Sequence, residues 1–363
     1  MFSEENGINP FIDESFDTPE LFSGFPDARI LRIGKYYYLF GTGLRFCRTQ
    51  RFTKEDIKLF PLLLDFTNNQ EMTPNGIWAF TVYKNTDGSF HGYATLHYWK
   101  FKTVVAHFVP SLSQKWTVKK PIVSWRFNKV LIGSINEGKF AYDSNLVKND
   151  KGELYLISNA GNPEGPVGTD IHIKIYKMLN PENIDSTFEP RAILSPEGFR
   201  SEDRDPQRNH QLLEGTAITR VQDKFVLIYS VGNFDNSNYK IGIAFSDQLI
   251  PPPGRTYQKV LIPDFKKIWG NENKENEVCY LLQTQLENWS NYCGHLMNGP
   301  GIGNILQLKD GRYFLIFHAR RPGIKLTGGK KRYLWKIPLR IQISDNNEMH
   351  TWIQPILPTK SSY

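Results

Sequence analysis

Apolar and polar residues alternate along Arg29-Ile30-Leu31-Arg32-Ile33, a Gly-centred turn follows at Gly34-Lys35, and Tyr36-Tyr37-Tyr38-Leu39-Phe40 is aromatic-rich. Alternation with a period of two predicts a half-buried strand, and the pair of runs predicts a β-hairpin. The turn and second strand return as Asp87-Gly88-Ser89-Phe90-His91-Gly92-Tyr93 and Lys151-Gly152-Glu153-Leu154-Tyr155-Leu156. They return again as Asp223-Lys224-Phe225-Val226-Leu227-Ile228-Tyr229 and Asp310-Gly311-Arg312-Tyr313-Phe314-Leu315. The five turns lie roughly 54 to 87 residues apart. A repeated all-β unit of this size predicts propeller blades. One blade cannot bury both faces of its sheet, so five argue for one closed body. The expected fold is an all-β, five-bladed β-propeller, a single domain over residues 1–363 with an irregular lead-in at 1–24.

The same pattern places the blades. Blade 1 runs from about 25 to 66. Blade 2 starts at Gly76 and continues through 103–108 to 116–118. Blade 3 starts at Phe140 and includes the alternating run 171–177. Blade 4 starts at Leu213, includes 239–246 and is closed by the turn Pro251-Pro252-Pro253-Gly254. A long polar connection over 264–298 is expected to carry a short helix around 277–286. Blade 5 starts at Gly299, includes 332–337 and ends with a strand near 351–356.

Composition narrows the class. The net charge is +7, but Lys and Arg are scattered in short runs such as Lys119-Lys120 and Lys330-Lys331-Arg332. They read as a solvated basic surface, and no nucleic-acid motif accompanies them. The three cysteines, Cys47, Cys279 and Cys293, are too few for a disulfide framework, which points to a reducing compartment and leaves a Cys279–Cys293 bridge open. No Cys/His spacing has the form of a structural zinc site. The N-terminus has no basic start and apolar run, and no stretch is apolar enough to span a bilayer. The expectation is a cytoplasmic protein, or one exported without a signal peptide, that binds neither nucleic acid nor membrane.

The innermost strand of each blade lines the central channel, so the residues at the strand starts converge. Counting back seven to ten residues from each turn gives Asp27, Trp78, Asp143, Glu214 and Ile302. Three are carboxylates. Facing one another around a channel they shift each other's pKa values and can divide into base, acid and modulator, the groups that glycoside hydrolysis needs. Trp78 offers a flat face to the apolar side of a sugar ring.

These residues resemble the five-bladed propeller glycosidases of glycoside hydrolase family 43 and its clan, over roughly residues 25–357. Asp27 with Gly34, Tyr37 and Tyr38 looks like the family's first-blade phrase, and Trp78-Ala79 like its second-blade phrase. Asp143 before Leu154-Tyr155-Leu156 is similar to its modulating Asp, and Glu214-Gly215 to its general-acid phrase. Gly299-Pro300-Gly301 and Phe317-His318-Ala319-Arg320 look like its fifth-blade signature.

The resemblance implies an inverting hydrolase with Asp27 as base, Glu214 as acid and Asp143 as the residue that raises the pKa of Glu214. Trp78, His318 and Arg320 are its candidate substrate-binding residues. The implied substrates are oligosaccharides containing arabinose, xylose or galactose. Three departures stand out. Ala28 replaces the Pro after the base, and Phe80-Thr81 replaces Pro-Asp after Trp-Ala. Ile302 replaces a His that in some members holds a central water or calcium ion. No cofactor is expected, and Ile302 disfavours the central calcium ion that is the one alternative. Two other readings remain, a degenerate propeller that binds glycan or protein and a propeller phosphorylase using Arg320 and Arg321. The sequence leaves the oligomeric state open.

Overall fold

The computed structural model describes residues 25–52, 56–98, 102–111, 115–134, 140–161, 171–196, 213–234, 238–259, 280–282, 298–308, 311–320, 332–342 and 352–355. The described residues form five sheets in chain order, antiparallel except for one short parallel pair in the second. Blade 1 holds β1 (Arg29–Ile33), β2 (Tyr36–Phe40), β3 (Arg45–Thr49) and β4 (Lys58–Pro61). β5 (Leu63–Asp65) leaves it and joins blade 2, made of β6 (Gly76–Lys84), β7 (Phe90–His97), β8 (Thr103–Pro110) and β9 (Ser124–Ile132). Blade 3 holds β10 (Phe140–Lys148), β11 (Leu154–Gly161), β12 (His172–Asn180), β13 (Asn183–Ile184) and β14 (Arg191–Leu194). Blade 4 holds β15 (Leu213–Val221), β16 (Lys224–Val231), β17 (Lys240–Ser246), β18 (Gln258–Lys259) and β19 (Tyr280–Leu282). Blade 5 holds β20 (Asn298–Gln307), β21 (Tyr313–Arg320), β22 (Tyr333–Gln342) and β23 (Trp352–Pro355).

Burial explains why the blades need each other. Five apolar clusters lie between sheets, one at each junction. Phe40 and Phe46 of blade 1 meet Phe80 and Phe108 of blade 2. Val105 and Ile132 of blade 2 meet Leu156 and Met178 of blade 3. Ile173 and Ile175 of blade 3 meet Leu227 and Tyr229 of blade 4. Ile228 and Ile243 of blade 4 meet Leu315 and Phe317 of blade 5. Phe314 and Ile316 of blade 5 meet Tyr37 and Leu39 of blade 1. The last junction closes the ring, so no blade is left with an open apolar face.

Three local expectations change. Leu63–Asp65 pairs in parallel with Ser124, Trp125 and Arg126, so the end of the expected first blade serves the outer edge of the second. The fourth strand of blade 2 lies beyond 116–118, which instead enters a turn closed by Thr117 N–H to the Lys120 carbonyl at 3.1 Å and by Lys120 N–H to Thr117 Oγ1 at 3.0 Å. Tyr280–Leu282 is a strand on β17 and not part of a helix, because pairing with Ile241 and Gly242 outweighs the local pattern. The turn after β17 is as expected, with Arg255 N–H bonded to the Pro252 carbonyl and Gly254 at φ 78°. Cys47 is buried and unbridged, and burial pushes its thiol up to about 12. Cys279, Cys293, Arg321 and the lead-in at 1–24 lie outside the described residues.

Candidate active site

Each inner strand enters the channel through the same irregularity. One residue near its start has a left-handed backbone: Asp27 (φ 62°), Ala79 (φ 47°), Asp143 (φ 52°), Gly215 (φ 76°) and Ile302 (φ 36°). In blades 2 to 5 the pairing register slips there, between Trp78 and Thr81, Tyr142 and Asn145, Glu214 and Ala217, and Gly301 and Asn304. In blade 1 the Thr42 N–H reaches the Pro26 carbonyl at 3.0 Å, just before the first ladder pair of Arg29 with Phe40. Such a bulge adds a residue to the strand and re-aims its side chain. Four of the five residues are not glycine, and each such conformation costs about 1–2 kcal/mol. Strain of this kind gathers at functional sites.

The bulges are tied together around the channel. Ala79 N–H donates to Thr42 Oγ1 at 3.0 Å, and Asp143 N–H to Thr95 Oγ1 at 2.8 Å. Gly215 N–H donates to Asp143 Oδ2 at 3.1 Å, and Ile302 N–H to Ser230 Oγ at 2.7 Å. Asp27 N–H donates to His318 Nδ1 at 3.1 Å and completes the circuit. Each blade thus fixes the strand start of the next. Asp27, Asp143 and Ile302 share one place in the repeat, whereas Trp78 and Glu214 stand one residue earlier. The equivalence expected from turn spacing is therefore off by one residue for those two, because spacing does not reveal which residue carries the bulge.

The three acids have different surroundings. Asp27 is buried, accepts a hydrogen bond from the Thr42 hydroxyl, and lies 3.3 Å from Arg332 Nη1. Burial raises its carboxyl, but Arg332, then His318, the Thr42 hydroxyl and Arg29 together outweigh that and hold it below its ordinary value. Asp143 is buried too. Burial and the Asp27 charge raise it to about 6 against the pull of Arg29 and the Gly215 N–H. Glu214 accepts a hydrogen bond from the Tyr239 hydroxyl. Burial, then Asp143, push it up to about 8, although the Tyr239 bond opposes the rise. Asp27 is thus shifted towards its ionised form and Glu214 towards its protonated form, with Asp143 adding to the second shift.

Of the six predicted site residues, the structure gathers Asp27, Asp143, Glu214 and His318 into one interacting group. His318 is fully buried behind Asp27, stacks on Tyr239 at 5.9 Å, and lies 3.3 Å from Arg332. Burial and Arg332 lower it to about 3, and its Nδ1 accepts from the Asp27 N–H. Arg320 is also buried and donates to the Phe234 carbonyl. Trp78 is half-buried, with one face covered by His97 at a ring separation of 4.5 Å.

Sequence reasoning missed Arg29, Arg332, Tyr239 and His97. Arg332 was counted among surface charges through Lys330 and Lys331, yet it is 8% exposed and lies under the Phe234 ring. Arg29 is 1% exposed, and among the described residues none of its guanidinium nitrogens has a hydrogen-bond partner. Its place two residues after Asp27 on a channel-lining strand was the available signal.

Gly301 tests how tightly this group is packed. A Cβ there would lie 1.6 Å from Tyr239 Cε1, so the buried ring must move. Gly301→Ala should destabilise the protein by about 1–3 kcal/mol. It should also raise Glu214 further by breaking the Tyr239 bond. Thermal melting and the alkaline limb of any pH–rate profile check the two effects.

The profile described as "Glycosyl hydrolases family 43" matches residues 17–342. A thermostable family-43 glycoside hydrolase of known structure is 16% identical, with a TM-score of 0.66 over 94% of this chain and 95% of that one. An α-L-arabinanase from Cellvibrio cellulosa, solved with arabinohexaose, is 16% identical, with a TM-score of 0.60 over 91% of this chain and 95% of that one. A xylan β-1,4-xylosidase from Bacillus halodurans C-125 is 16% identical, with a TM-score of 0.60 over 92% of this chain and 55% of that longer one. No curated protein matches by sequence.

Proposed function

The chain belongs to family 43 of the glycosyl hydrolases, and from that membership we propose that it cleaves O-glycosidic bonds with inversion at the anomeric carbon. The observation that carries the reading is the opposed environment of two carboxyls: Asp27 is held low and Glu214 is held at about 8. A pair pushed apart in this way supports a division into base and acid. Asp27 takes a proton from a water as it attacks the anomeric carbon. Glu214 gives its proton to the departing oxygen. Asp143 keeps Glu214 protonated through like-charge repulsion, with its own carboxyl oriented by the Gly215 N–H.

The substrate is an oligosaccharide containing arabinose, xylose or galactose. Two of the similar folds are named as an arabinanase and a xylosidase, which favours the first two sugars. The test is a screen of aryl glycosides led by α-L-arabinofuranoside and β-D-xyloside, with the product anomer followed by NMR. Turnover should follow a bell in pH. It is lost in acid as Asp27 protonates below its ordinary range and lost in alkali as Glu214 ionises near 8. Asp143→Asn should move the alkaline limb to lower pH, but not to that of a free Glu, since burial remains the larger cause. No turnover on any aryl or natural glycoside, with or without phosphate, would replace this reading with a glycan-binding propeller. Retention of configuration would remove the assigned roles.

A further inference from the structure

The far end of blade 2 carries a second cluster of chemically capable groups. The acids sit at the starts of the inner strands, whereas His91 pairs with Tyr83 near the end of β6, on the opposite side of the propeller. His91 is on β7, His107 faces Tyr93 from β8, and Glu182 is in the turn between β12 and β13 of the next blade. A hydrogen bond of 2.6 Å from the Tyr93 hydroxyl to the Pro181 carbonyl holds that turn against blade 2. The two histidines are buried and Glu182 is partly exposed.

The ring nitrogens are arranged as ligands. His91 Nδ1 lies 3.0 Å from His107 Nε2, and one nitrogen or oxygen from each of His91, His107 and Glu182 lies within 4.8 Å of the others. Two imidazoles on one tetrahedral zinc have facing nitrogens about 3.3 Å apart, given Zn–N bonds near 2.0–2.1 Å. A few tenths of an ångström separate the two arrangements. The Glu182 side chain has rotatable bonds to close its own remaining distance.

Supporting groups hold the far nitrogens. The Ser89 hydroxyl donates to Asp87 at 2.6 Å, so it must accept from His91 Nε2–H, 2.9 Å away. That leaves the His91 Nδ1 lone pair facing His107. His107 Nδ1 lies 3.0 Å from the Asn128 amide nitrogen. A half-turn of this exposed amide presents Oδ1 instead, moves the His107 proton to Nδ1 and frees Nε2. Outer partners of this kind orient metal-bound histidines. The nearby Lys129 ammonium is committed to Asn183 Oδ1 at 2.5 Å.

We propose that His91, His107 and Glu182 form a site for a divalent transition-metal ion of the zinc class that clips blade 2 to blade 3. Two imidazoles and one carboxylate suit Zn²⁺, with water as the fourth ligand. The histidines are 16 residues apart and the carboxylate comes from another blade, so no linear spacing reveals the site.

Full-length protein, stripped with a chelator and dialysed against Zn²⁺, should retain one equivalent and melt at a higher temperature than the stripped form. Co²⁺ in its place should give the visible absorption of a tetrahedral ion. Glu182→Gln should weaken Zn²⁺ binding at least tenfold. Asn128→Asp should tighten it, because a carboxylate can only accept and so fixes the His107 proton on Nδ1. Both changes are at solvent-accessible positions, which separates loss of binding from loss of folding. Absence of stoichiometric Zn²⁺ in the wild type overturns the proposal. So does binding that is the same in wild type, Glu182→Gln and Asn128→Asp, which would put the ion elsewhere. The readouts do not require glycosidase activity, so this site stands or falls apart from the proposed reaction.

Discussion

Asp27→Asn will lower turnover by about 10²–10⁴-fold, and by a similar factor for every leaving group. The reason is where the proton goes. An asparagine cannot take one from the attacking water, and that need is the same whether the departing group is a sugar or a nitrophenol. The change also reaches stability. Asp27 is the carboxylate beside Arg332 and, after Asp143, the second one acting on Arg29, so its neutral analogue leaves two buried guanidinium charges with Asp143 as their remaining carboxylate partner. Removing one member of a buried pair destabilises strongly. A carboxyl whose folded pKa is lowered stabilises above its unfolded value and loses that contribution as pH falls through the folded one. The wild type should therefore lose stability in acid more steeply than Asp27→Asn. Rates must be read well below the variant's melting temperature. Activity close to wild type in a folded variant would remove Asp27 from the mechanism.

How much of this was legible in the sequence depends on how local each feature is. The hairpins were readable because alternation and a Gly turn are properties of neighbouring residues, and five repetitions made the ring a necessity of burial. Asp27, Asp143 and Glu214 could be placed at the channel, Glu214 to within one residue, because the turn fixes the length of the strand leading into it. What failed was non-local. Leu63–Asp65 follows blade 1 without interruption, and only the position of β9 explains why it pairs there. Arg332 follows two lysines and looks solvated until blade 5 brings it 3.3 Å from Asp27 across the closing junction. Tyr239 stands just before β17, where an aromatic residue is ordinary, and it becomes part of the site only because its hydroxyl reaches Glu214. His318 was legible as a site residue, but its role was not. It is fully buried, and its ring accepts from the Asp27 N–H.

Glu214→Gln should separate the two halves of the reaction. On natural oligosaccharides, whose alkoxide leaving groups need a proton, the loss should again be about 10²–10⁴-fold. On aryl glycosides with acidic phenols the loss should shrink towards none, because the phenolate departs unaided. The amide retains an oxygen to accept from Tyr239, and it mimics the neutral form that burial and Asp143 already impose. The fold should therefore tolerate it. Stability supplies a second readout with a definite sign. A carboxyl raised from 4.5 to about 8 binds its proton more tightly in the folded chain. Over that interval the native state then loses stability as pH rises. Glu214→Gln cannot ionise, so its melting temperature should match the wild type near pH 4 and exceed it near pH 8. A steep dependence of rate on leaving-group acidity, together with that crossover in melting temperature, would assign the acid to Glu214. Equal losses on every leaving group would place the proton donor on another residue.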